Sequence, residues 1–160
     1  MQNAYLLTGG NTGDRYQFLA SALKALETEC GEILAVSALF ETQAWGLNDQ
    51  PPFLNQAVQL QTTLSAQVLL ERILAIEILL GRVRDQKYGP RTIDIDIIFY
   101  GQEVIQEPGL VIPHPHLPNR RFALECLNDI APSFIHPVIR KSVHTLLEEC
   151  TDSLTVHKLV

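Results

Sequence analysis

Two aspartates occupy alternate positions of an isoleucine-rich run, Ile93-Asp94-Ile95-Asp96-Ile97. If residues 92–100 form a strand, side chains alternate across it. Both carboxylates then share one face and the three isoleucines the other. Their Cβ atoms would stand ~6.6 Å apart, from a rise of ~3.3 Å per strand residue. Side-by-side carboxylates repel one another unless a cation lies between them. Hard oxygen donors suit Mg²⁺, which takes one or two carboxylates and completes its shell with water and phosphate oxygens. A merely wetted outer face would also hold polar residues, but Asp is depleted in strands, and two mid-strand weigh against that.

Positive charge gathers near this pair. Arg82, Arg84, Lys87, Arg91, Arg120 and Arg121 are six of the chain's twelve Lys and Arg. Guanidinium forks match phosphate oxygens, although composition alone equally allows a solvated basic loop. The turn Tyr88-Gly89-Pro90-Arg91 sets an arginine three residues ahead of Asp94. Glu77, Gly81 and Arg84 share a helix face if their helix runs that far. Arg82 and Arg84 lie near its C-terminal end, where the helix dipole by itself favours cations. In Pro113-His114-Pro115-His116, no cysteine or third histidine stands nearby. A histidine donating to phosphate therefore fits better than a transition-metal pair. Trp45, Phe53 and Asn55 surround a proline-bearing loop, residues 43–52. Ring faces and an amide suit a slot for a flat heterocycle. Anchoring of the loop to the core explains the same aromatics.

These residues need a scaffold. Ala4 to Thr8 reads as a buried strand ending at Gly9-Gly10, with Asn11 to Asp14 supplying turn and N-cap residues. Phe18, Leu19, Ala22, Leu23 and Leu26 predict a helix over Arg15 to Cys30. Strands are expected at Ile33 to Thr42 and Phe53 to Thr62. A second helix capped by Ser65 has Leu69, Ile73, Ile76 and Leu80 as its stripe. A fourth strand follows over Thr92 to Tyr100, with a short one at Glu103 to Ile105. Four prolines make Pro108 to Pro118 a loop. Helices close the chain at Asn119 to Ile130 and Ser142 to Cys150. The order βαββαβ predicts an α+β, ferredoxin-like core: one antiparallel sheet, its helices on one face, extended by C-terminal helices.

The chain's 160 residues make one domain. Its 46% hydrophobic content speaks for a packed core, and its net charge of −6 against a nucleic-acid or anionic-membrane partner. Cys30, Cys126 and Cys150 form no CxxC pair, which suits a reducing, cytoplasmic setting. No signal-peptide pattern opens the chain, and no apolar run approaches the ~18 residues of a membrane span.

Taken in order, several segments resemble the 6-hydroxymethyl-7,8-dihydropterin pyrophosphokinases of folate biosynthesis. They are Gly9-Gly10-Asn11, Asp49-Gln50-Pro51 with Phe53-Leu54-Asn55, Glu77 with Gly81-Arg82-Val83-Arg84, Gly89-Pro90-Arg91-Thr92-Ile93-Asp94-Ile95-Asp96, and Pro113-His114 with Arg120 and Phe122. The resemblance covers the chain to about Cys150. It implies transfer of pyrophosphate from ATP to the pterin hydroxymethyl group, releasing AMP, by a single-domain monomer acting on small molecules. It implies two Mg²⁺ ions on Asp94 and Asp96, with Arg82 and Arg91 on the triphosphate. Glu77, Arg84, Tyr88, Ile97, His114 and Arg120 would form the ATP site. The pterin would lie between Phe53 and Phe122, its edge read by Asn55 and the backbone around Thr42, with Gly9 and Trp45 lining the pocket. Gly10, Gln43-Ala44-Trp45 and Tyr88 depart from residues common in the family. The proton acceptor stays open among Asp94, Asp96 and water. An RNA-binding module, a ligand-sensing domain and a nucleotidyl transferase are the rival readings. The first two have no use for paired metal carboxylates beside arginines, and the third would release pyrophosphate instead of AMP.

Overall fold

The structure, a computed structural model, describes residues 1–42, 51–82 and 92–159. Strand β1 (Gln2–Gly10) runs through the middle of the sheet. It is followed by α1 (Arg15–Glu29), whose first turn is capped by Asp14 accepting the Gln17 N–H. Next come β2 (Glu32–Val36), β3 (Phe40–Thr42) and β4 (Phe53–Thr62). Helix α2 (Ala66–Leu79) is capped by Ser65, as its sequence predicts. Strand β5 (Asp94–Tyr100) completes the βαββαβ core. The order β5-β1-β4-β3-β8, with β2 also on β4 and every pairing antiparallel, is the expected ferredoxin-like topology with one strand added.

Several expectations need correction. The strand over Ile33 to Thr42 is broken in two. Ser37 Oγ accepts the Ala57 N–H and Asp129 accepts the Ala38 N–H, so side-chain oxygens replace ladder partners there. The proline-rich stretch is not all loop. β6 (Ile105–Glu107) and β7 (Leu110–Ile112) form a hairpin whose turn holds Pro108 and Gly109, the latter at φ +79°. Proline sets the first turn position and glycine takes the left-handed second one, so the prolines punctuate the strands. Helix α2 stops at Leu79 and does not reach Arg84. Gly81 at φ +91° donates to Ile78 O, and the Arg82 N–H returns to Glu77 O, which is a Schellman closure.

The two helices of the βαββαβ core share one face, as expected, and the C-terminal helices take the other. α1 and α2 cover one face over Leu6, Leu54, Val58, Leu60, Ile95 and Ile97. α3 (Arg121–Ile130) and α4 (Val143–Glu149) cover the other over Tyr5, Leu7, Ala57 and Phe99. In β5 the alternation holds from Asp94 to Ile97. A register shift opposite Tyr5 and Leu6 then inserts Ile98, and Ile98 and Phe99 both join the α3 side. Last, β8 (Val156–Lys158) adds an unpredicted strand outside β3.

Candidate functional site

One row across the sheet brings the two halves of the expected site together. Gly9 on β1 pairs with Asp94 of β5 on one side and with Asn55 of β4 on the other, and Asn55 pairs with Phe40 of β3. The next row joins Asp96, Leu7 and Ala57. Directly opposed residues project to the same face. Leu7, Ala57 and Phe40 belong to the α3-side core, so Gly9, Asn55, Asp94 and Asp96 face that way. Phe53 and Thr42, paired two residues further on, do so too. At ~4.8 Å per strand, Asp94 and Asn55 lie about 10 Å apart along the row.

Gly9 is required by its neighbour. A Cβ there would stand 2.0 Å from Asn55 Nδ2 and 3.2 Å from Leu54 O. Asn55 is buried, its Nδ2 donates to Thr8 O at 3.3 Å, and its Oδ1 has no hydrogen-bond partner among the described residues. A buried acceptor left unpaired costs ~1–3 kcal/mol, which a ligand donor would recover. Thr42 is buried, and its hydroxyl donates to Thr155 O at 2.9 Å. Phe53 and Phe122 are half-buried.

Around Asp94 the charges interlock. Arg82 Nη1 donates to Asp94 Oδ1 at 2.6 Å and to Ile93 O at 3.1 Å. Glu77 Oε2 lies 3.9 Å from the same nitrogen and accepts the Ile95 N–H at 2.7 Å. Arg82 is nine-tenths buried, and its Nε has no partner among the described residues. The Schellman closure sets Arg82 just past the end of α2, aimed at the start of β5. Glu77 is fully buried, so its carboxylate serves main chain and Arg82 from inside the fold. Ile97 places its side chain in the α1/α2 core. Because the Ile95 N–H turns to the outer edge of β5, ladder alternation turns the Ile97 main chain the same way.

His114 follows β7, with its N–H on Ile98 O at 3.0 Å. Its Nδ1 accepts the His116 N–H at 3.2 Å, which leaves Nε2 to carry the proton of the neutral ring. Burial, then the positive charge of Arg120 and His116, pushes its pKa down to about 4, while Asp94 pulls the other way. A neutral Nε2–H donor is what a phosphate contact asks of it. Arg120 stands at the N-cap position of α3, directly after a 3₁₀ turn at Leu117–Asn119 whose Leu117 O accepts its N–H.

Arg121 behaves differently from its basic neighbours. Its guanidinium donates to Asp152 O and Cys150 O, both at 2.9 Å, so it is not turned to phosphate. Thr92 was not anticipated. Its buried hydroxyl, unpartnered among the described residues, precedes Asp94 by two, and the same alternation that paired Asp94 with Asp96 would have found it. Trp45, Arg84, Tyr88 and Arg91 lie outside the described residues, as does Lys87. Among the described residues no cluster of three or more His, Cys, Asp and Glu forms a ready-made metal cage. The fit to Mg²⁺ rests on two half-exposed carboxylates on one face, one already holding a cationic group at 2.6 Å. Mg²⁺ in a phosphate site needs no more protein oxygens than these.

Comparison with known proteins identifies the family. Residues 5–132 match the family model described as 7,8-dihydro-6-hydroxymethylpterin-pyrophosphokinase. The chain is 41% identical over 151 residues to 2-amino-4-hydroxy-6-hydroxymethyldihydropteridine pyrophosphokinase of Aquifex aeolicus, covering 94% of each. It is 43% identical over 136 residues to the protein of that name from Methylorubrum extorquens, covering 84% of this chain and 86% of the relative. It is also 37% identical to the folic acid synthesis protein fol1 of Pneumocystis carinii, of which it spans only 20%. Among solved structures, a Plasmodium falciparum HPPK-DHPS triple mutant with STZ-DHP shares the fold, with a TM-score of 0.75 at 20% identity. That match covers 92% of this chain and 43% of the longer one.

Proposed function

The chain belongs to the 7,8-dihydro-6-hydroxymethylpterin-pyrophosphokinase family and is a pyrophosphokinase of folate synthesis; we propose that its cleft works through the residues described above. In the reaction, pyrophosphate passes from ATP to the hydroxymethyl group of 6-hydroxymethyl-7,8-dihydropterin. The products are AMP and the pterin diphosphate. The observation that carries the assignment of residues is the row Asp94–Gly9–Asn55. It sets a carboxylate pair and an unpaired amide oxygen on one face, about two strand spacings apart.

Asp94 and Asp96 would hold two Mg²⁺ ions. When bound, these ions neutralise charge on the triphosphate and clamp it for in-line displacement. The hydroxymethyl oxygen bonds to the β-phosphorus and gives up its proton to Asp94, Asp96 or water, as the bond from the β-phosphorus to the oxygen bridging it to the α-phosphate breaks and AMP leaves with that bridging oxygen. Arg82, with Arg91, steadies the charge moving through the transferred group, since its Nη1 reaches Asp94 and its buried Nε is available. His114 Nε2–H and Arg120 donate to phosphate oxygens. Glu77 supports the nucleotide side from below, through Ile95 and Arg82. Ile97 offers main chain to the adenine, and Arg84 and Tyr88 complete that side. Phe53 and Phe122 cover the two faces of the pterin, Asn55 Oδ1 accepts from its edge, and Thr42 main chain and Trp45 line the rest.

We propose a cytoplasmic monomer; the three buried, unbridged cysteines suit a reducing compartment. Among the described residues no helix is long and apolar enough to cross a membrane. Incubation with ATP, Mg²⁺ and the pterin alcohol, followed by chromatography, tests the reaction. AMP and the pterin diphosphate in equal amounts are expected. Release of pyrophosphate would identify a nucleotidyl transferase instead.

A further inference from the structure

The residues after α4 bind both the start of α3 and the strand β3. The Asp152 carboxylate accepts the Arg121 N–H at 3.0 Å, the first N–H of α3. Helix starts leave such groups unpaired, and Arg120, the N-cap residue, has no side-chain acceptor to offer. Asp152 therefore supplies the cap from 31 residues away, with its negative charge at the positive end of the helix. Arg121 Nε and Nη2 return to Asp152 O and Cys150 O. The other Asp152 oxygen accepts the Leu154 N–H and turns the chain toward the sheet. From there Thr155 O takes the Thr42 hydroxyl, and Val156 to Lys158 pair with Thr42 to Phe40. The Leu159 N–H reaches Leu39 O, and Lys158 Nζ meets Asp129 near the far end of α3 at 3.0 Å.

Phe122 follows Arg121 directly. Phe53 and Asn55 lie on β4, next to the β3 strand that β8 holds. We infer that Asp152, through Arg121 and β8, positions Phe122 against Phe53 and Asn55 and so sets the width of the pterin slot. The inference rests on the proposed assignment of that slot. It makes Asp152 and Arg121 positioning residues, with no contact to substrate. Arg120 has its own anchor in the 3₁₀ turn at Leu117, so the nucleotide side should be insulated.

Calorimetric titration with the pterin substrate, in the presence of a non-hydrolysable ATP analogue, tests this, with the analogue titrated separately. Asp152→Ala should weaken the pterin about tenfold and change analogue affinity less than twofold. Asp152→Asn keeps a capping oxygen and should recover to within threefold of the parent. Arg121→Gln keeps the main-chain bond to Asp152 and loses the guanidinium contacts. It is the gentler variant should Asp152→Ala fail to fold, and should weaken the pterin threefold or more. Phe122→Ala runs in parallel. If Phe122→Ala leaves pterin affinity intact, the slot assignment falls and takes the inference with it. If Phe122→Ala weakens the pterin but Asp152→Ala and Arg121→Gln do not, the inference alone is overturned. Equal losses for both ligands in Asp152→Ala would overturn it too, as a general loosening of the fold.

Discussion

The two faces of this sheet are built from alternate residues of the same strands, yet they do different things. On the α1/α2 face, Leu6, Leu54, Val58, Leu60, Ile95 and Ile97 make an aliphatic core. On the α3/α4 face, packing is aromatic at one end, where Tyr5, Phe99 and Phe134 meet with ring centroids 4.4–6.2 Å apart. At the other end it gives way to Gly9, Asn55, Asp94 and Asp96. The residues assigned to the chemistry lie at the end of this face where the aromatic packing stops, on strands whose opposite face is packed by α1 and α2.

That contrast can be broken most sharply within β5. Asp94→Ala and Asp96→Ala should each lower turnover by ~10²–10³-fold or more in a protein that still folds, Asp94→Ala with some loss of thermal stability because Arg82 loses its partner at 2.6 Å. Ile95→Ala, between them and facing the other way, should cost about 2–5 kcal/mol of stability yet leave the folded enzyme active. Steady-state kinetics beside thermal melts decide it. If an aspartate variant keeps kcat within a few-fold at saturating Mg²⁺, or Ile95→Ala destroys activity without loss of stability, the division of labour is wrong.

Arg82→Ala comes next. A preorganised donor to a developing charge is worth about 10²-fold in kcat, so kcat should fall by about that factor and the ATP KM by much less. A raised KM with kcat unchanged would confine Arg82 to ground-state binding.

Gly9→Ala probes the junction between the two ends of the row. The added methyl must displace the Asn55 amide, the movable end of a side chain, so a folded protein is expected. Pterin affinity should drop about tenfold, as it should in Asn55→Ala, because the amide oxygen loses its place; that is ~1.4 kcal/mol. Analogue affinity should hold. Titration of both ligands shows whether the defect stays on the pterin side.

The smallest effect separates the two ends of the α3 face by pH. Burial lowers the pKa of His136, at the aromatic end, and burial with Arg120 and His116 lowers that of His114 to about 4. His136 Nδ1 accepts the Val138 and Ile139 N–H groups, so its neutral form is structural. For both, the unfolded chain binds the proton more readily. Each therefore contributes stability that is complete above the ordinary histidine value of 6.5 and drains away as pH falls below it, for His114 through about 4. Melting temperature should decline from pH 7 to pH 5. His114→Gln should flatten part of that slope; an unchanged slope would show that its ring does not titrate with folding.

Much of this was legible because strand and helix periods are local. The Asp94/Asp96 pair, the Ser65 and Asp14 caps and the βαββαβ order all follow from neighbours within a few residues. What was hidden depends on partners far along the chain. Ser37 breaks a strand because Ala57 and Asp129 fold against it. Arg121 reads like its basic neighbours until Asp152 and Cys150 arrive to claim it. The three residues of β8 carry no periodic signal; their strand exists because β3 has an open side.

The outer edge of β5 carries one more implication. An edge strand is a template on which another chain's strand can grow. Here the Ile95 N–H is taken by Glu77 and the Ile98 carbonyl by the His114 N–H, so a foreign strand meets two ladder groups already engaged. Two residues assigned to ATP thus also occupy the groups through which an edge strand would pair with another chain. Loss of the Glu77 carboxylate would be felt first as sticky, fibre-prone protein during expression, before any assay of turnover.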